Sequence, residues 1–526
     1  MCPIKNNKYK HMKMRLLFFL LFIVQFAFSQ KLHYELPENA SKMYNNGNFL
    51  KAKELYRELY KKNQKNLEYK FRFGVSLINT YEWDDGVTML EQVSKKVEAP
   101  KEVWFHLGRG YHLTNRYDLA IKTLKKYIQF KDNSSLIEQS NKIIEMCENA
   151  KELVKKPLNV SFENLGKSVN SKGKEYLPFI SPNEDQVIFS TRREGTTGKI
   201  YDLEGYYTAD IYVSSFKSTK WSKTRSYGYP NSYGNEQVAG YSENGKYIFF
   251  YLDNPKDKNQ LHLAEREKKS FGKSQKIENK HINEKSSKQP TATISNDGMA
   301  MIFTSDRSGG RGGFDLYLVK KLPNGKWGEP TNLGEEINTS EDENYPYLTD
   351  EGSTLYFASK GHKSIGGYDI FKSEWNEDNQ KWSTPKNLGY PINTPDDNMS
   401  ICFTDNKKIA YVSAYRKDSE GDLDIYRVHF KDDDEQLTTV KGIVFNKDST
   451  AVTFSLTIEA FNETSGDLQG IFEVNKTKGS FIMILPPNKY VLKIATPTGE
   501  TIERKIWIKD GKGYKNEIEQ NFIIDN

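Results

Sequence analysis

Gly309-Gly310-Arg311-Gly312-Gly313-Phe314-Asp315-Leu316-Tyr317 is the stretch that decides how this chain folds. Its last three residues recur as Asp369-Ile370-Phe371 and Asp424-Ile425-Tyr426, at spacings of 54 and 55. Asp210-Ile211-Tyr212 is an earlier copy, and Leu261-His262-Leu263 is a degraded one between them. A fixed period of this size means stacked supersecondary units, and four short strands per unit means propeller blades. Binding is therefore the default function, and catalysis has to be argued for.

Working outward, each unit keeps one order of parts. A strand ends in a turn such as Ser295-Asn296-Asp297-Gly298 or Thr349-Asp350-Glu351-Gly352, and an aromatic strand follows, Met301-Ile302-Phe303 or Leu355-Tyr356-Phe357. The Gly-rich loop and the Asp-Ile-Tyr strand come next. The unit closes on Trp327-Gly328-Glu329-Pro330 with Asn332-Leu333-Gly334, or Trp382-Ser383-Thr384-Pro385 with Asn387-Leu388-Gly389. Asp-Gly turns between alternating apolar strands are hairpin signals.

Ser305-Asp306-Arg307 through Tyr317 resembles the TolB-type propeller repeat, and the resemblance covers residues 157–430. Five signature strands predict five blades, with six as the alternative. The first outer segment, Leu158 to Gly166, precedes the first signature strand, and the last signature strand has no outer segment after it. The strand near Val160-Ser161-Phe162 is thus expected to complete the final blade, since closure removes the unpaired edges.

Several apparent sites dissolve on inspection. Gly240-x4-Gly245-Lys246 has the outline of a phosphate loop, but Tyr247 stands where Ser or Thr would hold magnesium, and Gly245 fills the hairpin-turn slot of Gly298 and Gly352. Gly361-x-x-Ser364-x-Gly366 misses a nucleophile elbow by one residue. The repeated Asp is expected to cap its own Gly-rich turn. No set of residues for a cofactor or a metal is legible, and the eight His show no ligand spacing. One candidate survives. A cation follows the second strand of several blades, at Arg193, Arg307, Lys360 and Arg416, and these are expected either to form a basic rim or to hold their own loops.

A second period, 34, runs through residues 30–156: Phe49, Trp83 and Tyr117 are so spaced, as are Ala52, Gly86 and Ala120, and Tyr56, Leu90 and Leu124. Phe73-Gly74 recurs as Leu107-Gly108. These residues resemble the tetratricopeptide repeat, which implies an α-helical solenoid capped by Ser135 to Lys155. By repeat position its concave face presents Phe71, Val75, Ile78, Phe105, Arg109 and His112, a groove suited to an extended peptide or a partner helix, or else packed on the propeller.

The overall charge of +6 is misleading. Lys5, Lys8, Lys10, Lys13 and Arg15 precede an apolar run from Leu16 to Phe28, and Ala27-Phe28-Ser29 reads as a cleavage site. Residues 1–29 are therefore read as a secretory signal. The run of 13 residues is too short for a span, which needs about 20. Without that segment 71 basic residues face 70 acidic ones, a balance of +1 that argues against nucleic-acid binding. The two remaining cysteines, Cys147 and Cys402, fall in different domains, so burial alone must hold an exported chain.

After the acidic linker Asp432-Asp433-Asp434-Glu435, the pattern Val440-Lys441-Gly442-Ile443-Val444 and Gly479-Ser480-Phe481 to Leu492 resembles the carboxypeptidase regulatory-like module. That implies a small Ig-like β-sandwich over residues 431–526, a spacer or docking surface. Signal, helical repeats, propeller and sandwich in this order resemble the PorE-type periplasmic proteins of Bacteroidetes. The resemblance implies a non-catalytic scaffold of type IX secretion or gliding machinery at the outer membrane, beside a PorP/SprF-type protein. That family usually ends in an OmpA-like peptidoglycan-binding domain, for which residues up to Asn526 show no counterpart, so direct peptidoglycan contact is not expected. Two alternatives stand beside the scaffold: a propeller that binds a cell-wall or other glycan, and a hydrolase, for which no acid–base pair or activated nucleophile can be placed.

Overall fold

The computed structural model describes residues 36–217, 219–268, 270–431, 437–496, 501–509 and 515–524. The secretory signal read at residues 1–29 and the acidic linker lie outside the described residues. The described residues up to Phe430 form one compact unit, and those from Lys431 onward form a second.

The first unit is mostly β. Five separate antiparallel sheets account for residues 160–430. The first contains Glu175–Ile180, Gln186–Thr191 and Asp210–Lys217, with short outer strands at Lys220–Trp221 and Arg225–Ser226. The next three repeat that meander, beginning at Asn235–Tyr241, Ala292–Ile294 and Glu343–Thr349. The fifth has Ile401–Phe403, Ile409–Ala414 and Asp424–Phe430, and its outer strand comes from far upstream, Val160–Asn164. Val160 pairs with Phe430 and Phe162 with Val428, antiparallel. The ring is thus closed by its N-terminal strand, and Arg416 holds its guanidinium 3.6 Å from the Phe162 ring centre.

Two repeated side chains build each blade. Asp315 accepts backbone N–H bonds from Arg311 (2.5 Å) and Gly312 (3.0 Å) and an amide bond from Asn332 (2.8 Å). Asp369 repeats this with Ile365 N and Asn387, Asp424 with Glu420 N and Asn164, and Asp210 with Thr197 N. The Gly-rich turn needs such an acceptor because its N–H groups face inward. The second device is an asparagine bonded at both ends of its amide to one strand residue. Leu316 N donates to Asn338 Oδ1 (2.8 Å), and Asn338 Nδ2 donates to Leu316 O (3.0 Å). Asn170 on Ile425, Asn231 on Ile211, Asn283 on Leu261 and Asn393 on Ile370 do the same.

The helical part corrects the expected solenoid. Among the described residues there are seven helices: α1 over 36–45, α2 (Phe49–Lys62), α3 (Leu67–Ile78), α4 (Trp83–Ser94), α5 (Val103–Leu113), α6 (Tyr117–Ile128) and α7 (Ser134–Leu153). Small residues let the pairs approach: a Cβ on Gly108 would sit 2.5 Å from Leu124 Cγ. These helices do not extend as a free superhelix. They belong to the same compact unit as the propeller, and Ile365 of the fourth blade is buried within their core beside Val75 and Ile78. The 34-residue period reports helix-to-helix spacing, and it is silent about which chain segment lies against the inner face.

The second unit, by itself, is a pair of four-stranded sheets around one core. One holds Thr438–Asn446, Ser480–Leu485 and two short parallel additions, Glu517–Glu519 and Phe522–Ile524. The other runs Leu468–Val474, Leu456–Asn462, Asn488–Ala495 and Thr501–Ile508. Val440, Phe481, Tyr490 and Leu492 are among the residues buried between them.

Candidate functional site

The groove expected on the helices is filled by the chain itself. Phe71, Val75, Ile78 and Phe105 are buried in helical cores. His112 is buried, and its Nε2–H donates to Ile365 O at 2.7 Å. Burial pulls its pKa down to about 4, so the ring is neutral at neutral pH. Arg109 donates to Asn79 Oδ1 at 2.8 Å, and burial works against its charge while Asp396 and Asp397 favour it. Asn149 Nδ2 donates to Ser364 O at 3.0 Å. None of these six residues lines an open partner groove: Phe105 packs among helices, and His112 meets the propeller at the seam. Covering the face removes apolar surface from water that a solenoid would leave exposed.

The four cations do not make a rim. Arg193 donates to Val169 O (2.6 Å), Thr224 Oγ1 (2.8 Å) and Glu175 Oε1 (2.9 Å). Arg307 donates to His281 O (2.6 Å) and lies 4.8 Å from the Tyr317 ring centre. Lys360 pairs with Asp342 at 2.8 Å, and Arg416 lies on Phe162. Each is engaged within its own blade or with the segment leading into it.

The propeller axis is plugged. Tyr241 and Tyr347 meet at 4.9 Å between ring centres, Phe179 stacks 5.1 Å from Tyr241, and Tyr241 donates to Ile401 O at 3.1 Å. The cavity left beside them measures 20 Å³, little more than the space a single water needs. Among the described residues no cluster of His, Cys, Asp and Glu is placed to hold a metal ion.

One open cleft lies at the seam. A cleft of 610 Å³ is lined by five tyrosines, Tyr81, Tyr201, Tyr206, Tyr207 and Tyr415, with Lys53, Lys172 and Arg192 among the polar groups. The long hairpin loop between Gln186–Thr191 and Asp210–Lys217 supplies three of those rings. Tyr201 and Tyr207 pair across it, ring centres 4.2 Å apart and hydroxyls at 2.5 Å. Asp202 holds the turn by accepting from Tyr206 N (2.9 Å) and Arg192 (2.6 Å). Tyr206 donates to Asp422 at 2.6 Å under the ammonium of Lys174, 4.2 Å above its ring. Burial, then the Asp422 charge, pushes the Tyr206 phenol far above its ordinary range, so it stays a donor.

Tyr81 departs from the pattern of its own repeat. It sits in the α3–α4 turn with φ +63°, where Gly47 (+77°) and Asn115 (+60°) occupy the same place 34 residues away on either side. Glycine and asparagine tolerate this left-handed region, whereas a bulky side chain there is strained. The signal was legible: repeat alignment shows one tyrosine in a slot for Gly or Asn.

No family model matches the chain, and no curated protein does. Solved structures that resemble it include a glycoside hydrolase at 11% identity and TM-score 0.36, covering 54% of this chain and 94% of that one. An α-L-arabinofuranosidase from Lactobacillus brevis matches at 12% and 0.32, covering 55% and 95%. The Swd1 β-propeller domain of Myceliophteria thermophila matches at 9% and 0.26, covering 66% and 99%. At these scores the likeness bears on no function, and the reading below rests on the side chains of this chain.

Proposed function

We propose that this protein is a non-catalytic glycan-binding propeller protein of the cell envelope. The tyrosine cleft carries the reading. Its 610 Å³ is the size of a small-molecule site, about 300–1,000 Å³. Tyrosine offers an apolar face for the C–H face of a sugar and a hydroxyl for its rim. Acidic Glu82, Glu194, Glu420 and Asp422 line the same cleft as the three cations, which favours a neutral saccharide over an anionic one. The export read from residues 1–29 is what brings such a site to envelope glycans. A panel of immobilised neutral oligosaccharides tests this: retention is expected, with loss on Tyr201→Ala/Tyr207→Ala, and absence of binding to any glycan overturns the reading.

A second reading, docking of a PorP/SprF-type membrane partner, is favoured by the second unit. Ile482 and Ile484 stand 64% and 55% exposed on the edge strand Ser480–Leu485, which has no charged residue. Co-purification with that partner is expected to be lost on Ile482→Asp/Ile484→Asp, and retention would remove this surface from consideration.

A further inference from the structure

We infer that the site takes an oligosaccharide of about four or more units, lying across two joined cavities, rather than a mono- or disaccharide; each cavity is of the size that suits one drug-sized segment. The inference rests on the glycan-binding reading. Beside the tyrosine cleft lies a second cavity of 560 Å³, lined by Trp83, Tyr390, Pro391, Pro395 and Asn115 among others. The two cavities share two residues, Tyr81 and Tyr415. Those shared rings lie 4.4 Å apart at 31°, and Trp83 stands 5.2 Å from Tyr415 at 69°. The pair therefore stands between the two cavities and faces each.

Chain continuity across that pair is the simplest use of such a shape. Tyr81 holds a left-handed backbone and its ring lines both cavities. The polar groups fit the same direction. Asp418 and Lys417 edge the second cavity, and Glu420 and Lys172 edge the first, so each has donors and acceptors for hydroxyl groups along the path. Rigid aromatic contact area costs little conformational entropy on binding, so each added ring engaged should tighten binding.

Titration calorimetry of the full mature chain with N-acetylglucosamine oligomers and cello-oligosaccharides of two to six units tests this. The six-unit chain of the recognised series is expected to bind about tenfold or more tighter than its dimer. Trp83→Ala and, outside the helical core, Tyr390→Ala are expected to bring that ratio to about one, while Tyr201→Ala weakens every length. Equal affinity at all lengths, or a ratio untouched by both variants, overturns the two-cavity inference and leaves the glycan reading standing. If no oligomer binds at all, the glycan reading itself fails.

Discussion

The ring of Tyr81, on the helical side of the seam, lies 4.4 Å from the ring of Tyr415, on the fifth blade. These two residues are 334 positions apart in the chain. Both rings line two neighbouring cavities, and Tyr81 holds a left-handed backbone.

That strain makes Tyr81→Asn informative. A left-handed bulky residue costs about 1–2 kcal/mol, and burying part of a tyrosine returns a similar amount. The variant is expected to melt within a few degrees of the parent while glycan retention falls about tenfold or more. A large drop in melting temperature with intact retention would make Tyr81 a packing residue.

The asparagine ladder should be a main determinant of blade stability. Asn338→Ala strips the buried Leu316 N of its partner and leaves Leu316 O with Leu333 N alone, and Asn283→Ala does the same to Leu261, whose O keeps Ile277 N, in the most degraded blade. Each loss is expected to cost about 1–3 kcal/mol, read from urea unfolding. Values under about 0.5 kcal/mol would mean that water replaces the amide.

Glu343 provides a pH test. It is buried, accepts from Thr339 N, Thr339 Oγ1 and Ser359 Oγ, and burial lifts its pKa from 4.5 to about 7. Because the folded state holds the proton more tightly, this carboxyl stabilises fully below its unfolded pKa, and the contribution is lost as pH rises through the folded value. Gln289 is the natural counterpart in the third blade. Glu343→Gln should therefore match the parent near pH 4, gain between about pH 4.5 and 7, and stay ahead by about 2–3 kcal/mol above that. A constant difference across pH would show that Glu343 does not titrate in that window.

Ring closure can be tested by removing residues 157–166. The deletion leaves Asp424–Phe430 without its outer neighbour, from Tyr426 to Phe430. Light scattering is expected to show aggregation, since an unpaired edge recruits other strands. A monomeric deletion variant with unchanged melting would mean that the blade does not need its upstream strand.

Sequence alone determined the repeated parts, because repetition makes local chemistry visible. The Asp315, Asp369 and Asp424 copies marked the turns they cap, and Leu158 to Gly166 standing alone marked the closing strand. The Asn332/Asn338 and Asn387/Asn393 spacings were equally visible in the chain. Their role was not, since an asparagine's partner depends on which strand lies beside it. Tertiary structure decided what covers what. Phe71, Val75, Arg109 and His112 carry the pattern of an open groove, and only a loop from the fourth blade, some 250 residues on, turns it into a seam. Likewise Arg193 and Arg307 look like a rim until Val169 O and His281 O are seen to take their donors. Periodicity records spacing along one element, whereas burial and charge pairing depend on segments brought together by the whole fold. For that reason the Tyr81–Tyr415 cleft belongs to the tertiary structure, even though each tyrosine could be read in the sequence.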